Sequence, residues 1–241
     1  MAQLGLPIAN TDQEYTIAPS KIVCLGQNYL EHIAESVTVQ ASGRSTEAPP
    51  EPVLFAKTPN VLIPSGEAIR IPAIVGNYDF EDPRTDYEGE LALVMGARCR
   101  RVSADEALRY VLGFSCFNDV SQRNIQKGDR SGWFRGKSFD TFGPIGPQLV
   151  LREDLGDPQK LEITTRLNGQ LVQHSSTDKM IFDIATMISY ISHNMTLEAG
   201  DVLVTGTPSG VGPIADGDTV EVEIEGIGVL SNPVVEERPD E

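Results

Sequence analysis

Two glutamates stand two residues apart in Tyr87-Glu88-Gly89-Glu90-Leu91, immediately before the apolar run 91–95. On a strand, residues i and i+2 share a face about 7 Å apart. A carboxylate pair beside a buried run is costly unless a cation neutralises it. Asp119 follows a second, nearly continuous apolar stretch over 112–118 and is a natural third oxygen ligand. Three carboxylates without paired His or Cys spacing suit Mg2+ or Mn2+ rather than zinc, with positions left open for water and substrate. Taken without Asp119, the glutamate pair also reads as a solvated strand face.

A second cluster lies in Asn28-Tyr29-Leu30-Glu31-His32-Ile33-Ala34-Glu35. His32 and Glu35 are three apart, so a helical turn places them on one face, where they can act as base and orienter for a water. An exposed histidine in a short surface helix is the equally weighted alternative. The charge map adds a third signal. Arg123, Lys127, Arg130, Arg135 and Lys137 face one acid, Asp129, between positions 123 and 137, in a chain whose formal charge is −16. Such an island can draw a carboxylate-bearing substrate against the surrounding field; a protein-partner patch or a solvated loop explains it as well.

The wider composition narrows the function classes. A sequence pI of about 4.5 opposes nucleic-acid and anionic-membrane binding. No segment reaches the ~18 apolar residues of a membrane-spanning helix, and the N-terminus lacks an export signal. Cys24, Cys99 and Cys116 have no CxxC spacing and sit in or beside apolar runs, so they read as reduced core residues of a cytoplasmic protein. Two nucleotide-like motifs fail on context. Gly210-Val211-Gly212-Pro213-Ile214-Ala215 leads into another strand instead of a helix, and Gly132-Trp133-Phe134-Arg135-Gly136-Lys137-Ser138 is one residue short of a P-loop with no strand before it.

The elements that must position these residues are mostly short strands, punctuated by 22 glycines and 16 prolines. Strands are expected at 21–25, 53–56, 69–72, 87–95, 112–118, 149–151, 161–167, 171–174, 201–205 and 219–224. Asn168-Gly169 predicts a type I′ hairpin turn. A capping box at Ser103-Ala104-Asp105-Glu106 predicts one helix start, and apolar Ile181, Ile184, Ile188 and Ile191 predict a helix over 180–193. His174 and His193 read as surface or packing residues. The expectation is a mostly β fold with a few covering helices, arranged as an N-terminal arm over 1–18 and a single catalytic domain over 19–241.

From about Lys21 onward the chain resembles the fumarylacetoacetate hydrolase superfamily. Five ordered motifs carry the resemblance: Asn28-Tyr29 with His32 and Glu35; Glu88, Glu90 and Leu91; Asp119, Ser121, Arg123 and Gln126; Lys137-Ser138-Phe139; and Gly200 to Gly212. It implies a mixed β-sandwich roll of the fumarylacetoacetate hydrolase C-terminal-domain type and a homodimer. It implies Glu88, Glu90 and Asp119 as ligands of Mg2+ or Mn2+, and His32 and Glu35 as a water-activating dyad. Lys137 is implied near a developing oxyanion, with Arg123, Gln126 and Thr207 around a 2-oxo carboxylic acid substrate. Gln27, the segment 74–84 and the long stretch 36–52 depart from relatives, the latter two as expected substrate-facing loops.

The chemistry implied is an enolate. A 2-oxo carboxylate that chelates the metal through its carboxylate and keto oxygens loses charge from its skeleton, which stabilises the enolate left when a bond to C3 breaks. Hydrolysis of a C–C bond in an acylpyruvate-type acid is the leading expectation, because a pure decarboxylase needs no water-activating pair. An oxaloacetate-type decarboxylase, an isomerase or hydratase of 2-oxo dioates, and a catalytically silent metal-binding scaffold are the other readings.

Overall fold

The computed structural model describes residues 4–35, 47–130 and 133–238. The chain opens with the hairpin β1 (Leu4–Pro7) and β2 (Glu14–Ile17), then β3 (Ile22–Gly26), helix α1 (Leu30–Glu35) and β4 (Val53–Lys57). Next come β5 (Leu62–Ile63), β6 (Ile69–Ile71), β7 (Thr85–Tyr87), β8 (Gly89–Met95), helix α2 (Ala104–Ala107), β9 (Val111–Asn118) and β10 (Ser121–Gln122). Helices α3 (Arg123–Gly128) and α4 (Phe134–Lys137) precede β11 (Gly143–Leu151), β12 (Glu162–Leu167), β13 (Gln170–Ser176) and the longest helix, α5 (Ile184–Asn194). The chain continues through β14 (Val202–Val204), β15 (Gly212–Pro213), β16 (Thr219–Ile224) and β17 (Gly228–Glu236).

The strands build a mixed seven-stranded sheet, in the order β4-β3-β14-β8-β9-β11-β5, that packs on a five-stranded sheet, β13-β12-β16-β17-β6. A small sheet, β10-β7-β15, closes one end. This is the mostly β, sandwich-roll architecture expected from the sequence. Every residue of β8 is buried, as its unbroken apolar run requires of a strand covered on both faces. The large sheet curls. Four strand spacings of ~4.8 Å separate β4 from β9 in a flat sheet, roughly 19 Å, yet Lys57 at the end of β4 hydrogen-bonds Asp119 just past β9. Only a sheet rolled back on itself brings a lysine from one flank to a carboxylate near the other.

Several local expectations are corrected. Strand 87–95 breaks at Glu88, because β7 pairs with β10 and β15 while β8 pairs with β9 and β14. The 180–193 helix starts at Ile184, capped by Asp183, whose side chain accepts from the Thr186 N–H at 2.7 Å. Met180 to Phe182 are drawn out of it because Met180 bridges Tyr29 and Phe182 is held by Asn28. Helix α2 does start after Ser103, but the Ser103 side chain makes no cap hydrogen bond, so the capping box is absent. The 149–151 strand is the tail of β11, whose prolines hid its start. Strands β1, β2 and β17 were not expected; β17 carries Ser231, Asn232 and Pro233 mid-strand. The Asn168-Gly169 turn has φ of 52° and 77°, as a type I′ turn demands. All three cysteines are free and buried. Residues 36–46 of the expected 36–52 loop, and 1–3 and 239–241 of the expected arm and domain, lie outside the described residues.

Asp201 fastens the start of β14. Its fully buried carboxylate accepts from the Ser20 and Lys21 N–H groups, the Ser20 hydroxyl, the Glu198 N–H and the Lys21 ammonium. Burial works against its ionisation, but the Glu198 N–H, Lys21 and Ser20 outweigh it and hold the pKa below the ordinary carboxylate value. Replacing Asp201 by Ala strands these donors, at about 2–4 kcal/mol, or roughly 5–15 °C in Tm. With the folded pKa below the unfolded one, the stabilisation is full above the unfolded pKa and is lost as pH falls through the folded one. Thermal scans should show a constant gap between the two proteins from about pH 5 to 7 that narrows below about pH 4; a pH-independent gap would contradict this.

Candidate active site

Antiparallel pairing of β8 with β9 puts Gly89 opposite Asn118 and Glu90 opposite Phe117, so Glu88 and Asp119 fall next in register. The Asp119 N–H donates to the Glu88 carbonyl at 2.8 Å. The carboxylates of Glu88, Glu90 and Asp119 thereby converge, with one oxygen from each within 4.8 Å of the others, all three buried. The sequence expectation of a carboxylate triad is thus present as geometry.

Three cations surround the triad. Lys137, on α4, places its ammonium between Glu88 and Asp119. Lys57 takes the other Asp119 oxygen and also donates to the Val120 carbonyl at 3.1 Å. Arg123, at the start of α3, bonds Asp86 through Nε at 2.7 Å, Gln126 through Nη1 at 3.0 Å and Glu88 through Nη2. Burial disfavours ionisation of Glu88, but Arg123 and Lys137 outweigh it and hold the carboxyl well below the usual range. Glu90 differs. Its carboxylate receives the Gly206 N–H at 2.6 Å and no cation pairs with it among the described residues. Burial first, then the Asp119 and Glu88 charges, push its pKa well above the ordinary value. A buried carboxylate held against two like charges is the condition that a hard dication relieves, so the donor set fits Mg2+ or Mn2+.

The triad opens onto a cavity of about 40 Å³, enough for an ion or a few waters given the ~10–15 Å³ one water occupies on this measure. His32, Glu88, Glu90, Asp119, Arg123, Gln126, Lys137 and Thr207 line it together with Leu25, Gly26, Gln27, Phe55 and Trp133. Glu35 does not reach the wall. It stands behind His32, with its Oε1 3.6 Å from His32 Nδ1, beyond hydrogen-bond length. The same Oε1 accepts from the Gly210 N–H at 2.7 Å and the Val211 N–H at 3.3 Å. Burial opposes ionisation of Glu35, yet His32 and these two N–H groups keep its pKa below the ordinary value, so it stands as a carboxylate at neutral pH.

Residues 21–235 match the family described as Fumarylacetoacetate (FAA) hydrolase C-terminal. The chain belongs to this family. Oxaloacetate tautomerase YisK of Bacillus subtilis is 39% identical over 90% of this chain and 70% of its own. Among solved structures, a fumarylpyruvate hydrolase of Pseudomonas aeruginosa, in complex with Mn2+ and pyruvate, superposes with a TM-score of 0.82 at 29% identity, over 98% of this chain and 97% of the other. A 5-carboxymethyl-2-hydroxymuconate delta-isomerase of Mycobacterium smegmatis gives a TM-score of 0.78 at 40% identity, over 92% and 79% of the two chains. The family therefore spans hydrolases, isomerases and tautomerases.

The family motifs have visible local duties. Asn28 locks the turn before α1 by donating to the Thr205 carbonyl at 2.8 Å and the Phe182 carbonyl at 3.1 Å, and by accepting from the Phe182 N–H. Gly206, at φ 92°, turns its N–H to Glu90, and a Cβ there would meet Asn28 Cβ at 2.8 Å. Gly210, at φ 96°, packs so closely on β13 that a Cβ would lie 2.0 Å from the Val172 carbonyl oxygen. The glycines that imitate a nucleotide fingerprint thus have other duties: Gly210 serves Glu35 and β13, and Gly212 pairs with Tyr87 of β7.

The basic island does not form one face. Arg123 and Lys137 turn into the site, Arg135 bonds the Tyr78 hydroxyl at 2.7 Å, and Lys127 and Arg130 are exposed. Segment 74–84, expected to face substrate, contributes no lining residue and instead ties to α3 through the Asp82 carbonyl, which accepts from Asn124 at 2.8 Å. His174 and His193 are exposed, away from the cavity.

Two residues of the site were not expected from the sequence. Lys57 ends an apolar strand as Asp119 does, and that shared signal, a charge closing a core strand, could have found it. Gln173 on β13 accepts from the Gly89 N–H at 3.0 Å and donates to Thr207 Oγ1 and the Pro208 carbonyl, both at 2.9 Å. It ties the backbone between the two glutamates to the loop that presents Thr207, and an exposed-looking strand gave no hint of it.

Glu90→Gln tests the triad. Without metal, removing a buried carboxyl whose ionisation is disfavoured should raise Tm by about 2–8 °C, equivalent to roughly 1–2 kcal/mol. With the folded pKa raised, the wild-type penalty is absent below the unfolded carboxylate pKa and grows as pH rises through the folded value. Mn2+ affinity, measured by calorimetry, should fall at least about a hundredfold in the variant and rise with pH in the wild type, because the ion displaces a proton from Glu90. A variant that still binds Mn2+ with wild-type affinity would remove Glu90 from the ligand set.

Proposed function

We propose that this chain is a Mg2+- or Mn2+-dependent hydrolase that cleaves a C–C bond in an acylpyruvate-type 2-oxo acid, with Glu88, Glu90 and Asp119 holding the ion. The ion, when bound, supplies a Lewis acid toward the substrate's carboxylate and keto oxygens. The observation that carries the reading is His32 on the wall of the same small cavity as the triad, with Glu35 behind it, fixed as a carboxylate by two backbone N–H groups.

In this reading Glu35 orients the His32 ring and stabilises it as it takes a proton from water. The hydroxide equivalent adds to the acyl carbonyl, the bond from that carbon to C3 breaks, and the electron pair stays on C3 as the enolate of pyruvate. His32 returns the proton to C3, so one water is consumed and a carboxylic acid and pyruvate are formed. Lys137, between Glu88 and Asp119, is assigned to the oxyanion. Arg123, Gln126 and Thr207 are assigned to the substrate, Arg123 through charge and shape, since its fork already holds Asp86 and Glu88. The structural likeness over nearly the full length of a fumarylpyruvate hydrolase supports hydrolysis. A second reading, tautomerisation of a 2-oxo diacid, draws on the 39% identity to an oxaloacetate tautomerase; the same pair would then move a proton at C3 without water.

The test is a Mn2+-supplemented assay of acetylpyruvate, fumarylpyruvate and enol-oxaloacetate. Pyruvate release from the first two that falls by a factor on the order of 10²–10⁴ in Glu35→Gln is expected, the usual worth of a positioned base. Faster enol–keto conversion of oxaloacetate with no pyruvate from either acylpyruvate would transfer the assignment to the tautomerase reading.

A further inference from the structure

Gly89, the residue between the two glutamates, lies where the sheet loses a strand. The ladder between β8 and β14 ends with Val204 opposite Ala92, and the last backbone bond on that side runs from the Thr205 N–H to the Leu91 carbonyl at 3.1 Å. Backbone groups in an antiparallel ladder alternate sides. Gly89, two residues before Leu91, therefore turns its N–H and carbonyl toward the space that β14 has left. Buried backbone groups must be paired, and here side chains replace the strand. Gln173 Oε1 accepts from the Gly89 N–H at 3.0 Å, Gln173 Nε2 donates to Thr207 Oγ1 at 2.9 Å, and the Thr207 hydroxyl donates to the Gly89 carbonyl at 2.9 Å. The three bonds close a circuit. The second Nε2 proton goes to the Pro208 carbonyl, also at 2.9 Å.

The second sheet reaches Gly89 because that residue has no side chain. Gln173, Thr165 and Val222 form one row across β13, β12 and β16. A Cβ on Gly89 would stand 2.2 Å from Thr165 Oγ1, 3.2 Å from Gln173 Oε1 and 3.3 Å from Val222 Cγ1. Any side chain there would push the row away and break the circuit. Strand β13 is bent at the same place. Its register with β12 slips between Thr165 and Arg166, so that Val172 is an extra residue next to Gln173. A bulge of this kind re-aims the neighbouring side chain, and Gln173 is the one buried residue of β13.

We propose that Gln173 is a positioning residue that sets the ion seat and the substrate side of the cavity as one unit. Through Gly89 it fixes the spacing and orientation of Glu88 and Glu90, and through Thr207 it fixes the hydroxyl of a cavity-lining residue. Gln173 itself does not line the cavity, so it acts only through these neighbours. The proposal rests on the functional reading above, in which the triad holds the ion and Thr207 serves the substrate.

Gln173→Met keeps an unbranched side chain of similar length and removes all three of its hydrogen bonds. Mn2+ affinity, measured by calorimetry well below Tm, should fall roughly tenfold, as when a group that orients metal ligands is removed. With Mn2+ saturating, KM for whichever of acetylpyruvate, fumarylpyruvate or enol-oxaloacetate the wild type converts should rise by about threefold to tenfold, with kcat within about threefold. A purely structural role would lower Tm and leave both quantities unchanged in the folded protein. Thr207→Val removes the hydroxyl while keeping its shape, and it breaks the same circuit from the other side. The double variant should therefore bind Mn2+ within about twofold of the weaker single variant, the non-additivity of groups that act together. Gln173→Leu serves if the methionine variant does not fold. Wild-type Mn2+ affinity in the folded Gln173 variants overturns the proposal, as do losses that multiply in the double variant, which would make the two residues independent. A wild type that binds no Mn2+ would instead overturn the functional reading, and this proposal with it.

Discussion

The structure is organised around the burial of four carboxylates, Asp86, Glu88, Glu90 and Asp119, against Lys57, Lys137, Arg123 and the half-buried Arg84. Ionised groups removed from water must be paired or must coordinate a metal. Here Glu90 is the member with no cation partner among the described residues, since Arg84 and Arg123 share Asp86 and Lys137 is shared by Glu88 and Asp119. The cations come from four separate segments, β4, the residue before β7, α3 and α4, so the charge cluster dictates which parts of the chain must meet. The curl of the large sheet, which carries Lys57 across four strand spacings, answers to the same requirement.

The loop after β14 is the second organising element, because it serves the metal seat and the dyad together. Gly206 donates to Glu90, Thr207 donates to the Gly89 carbonyl at 2.9 Å, and the Gly210 and Val211 N–H groups hold Glu35. Four successive duties in six residues explain why the stretch carries two glycines at positive φ: each lets the backbone approach a neighbour more closely than any side chain permits. Gln173 braces the loop from the second sheet. A shift of this loop would move the glutamate spine and the base together, because its backbone N–H groups hold the carboxylates of both Glu90 and Glu35.

The candidate site was legible in the sequence to the extent that its residues interrupt strong patterns. Glu88 and Glu90 break into an apolar run and Asp119 ends one, and an apolar strand that closes on a charge has few structural explanations. The His32–Glu35 spacing suggested a helical turn, and α1 supplies it. What stayed hidden depends on the sheet's curvature and on pairing between distant strands. Lys57 acquires its meaning only when β4 rolls toward β9, and Gln173 only when β13 packs against the start of β8. Periodicity misplaced the start of α5 because the apolar spacing of 180–183 is compatible with a helix, while the tertiary ties of Met180 to Tyr29 and of Phe182 to Asn28 favour extended backbone. Strand β17 was missed because its core-facing residues include Asn232, whose amide bonds the Pro64 and Glu67 carbonyls at 2.8 Å and so satisfies the loop before β6.

The basic segment 123–137 shows how a correct charge count can mislead about placement. Read as a patch, it suggested cations turned outward toward an anionic substrate. In the fold, Arg123 and Lys137 turn inward and are held by protein carboxylates, so the positive charge first stabilises the acidic cluster itself. Lys137, between Glu88 and Asp119, is therefore first a counter-ion of the acidic cluster, and its charge offsets the like-charge repulsion that would otherwise drive the carboxylates apart.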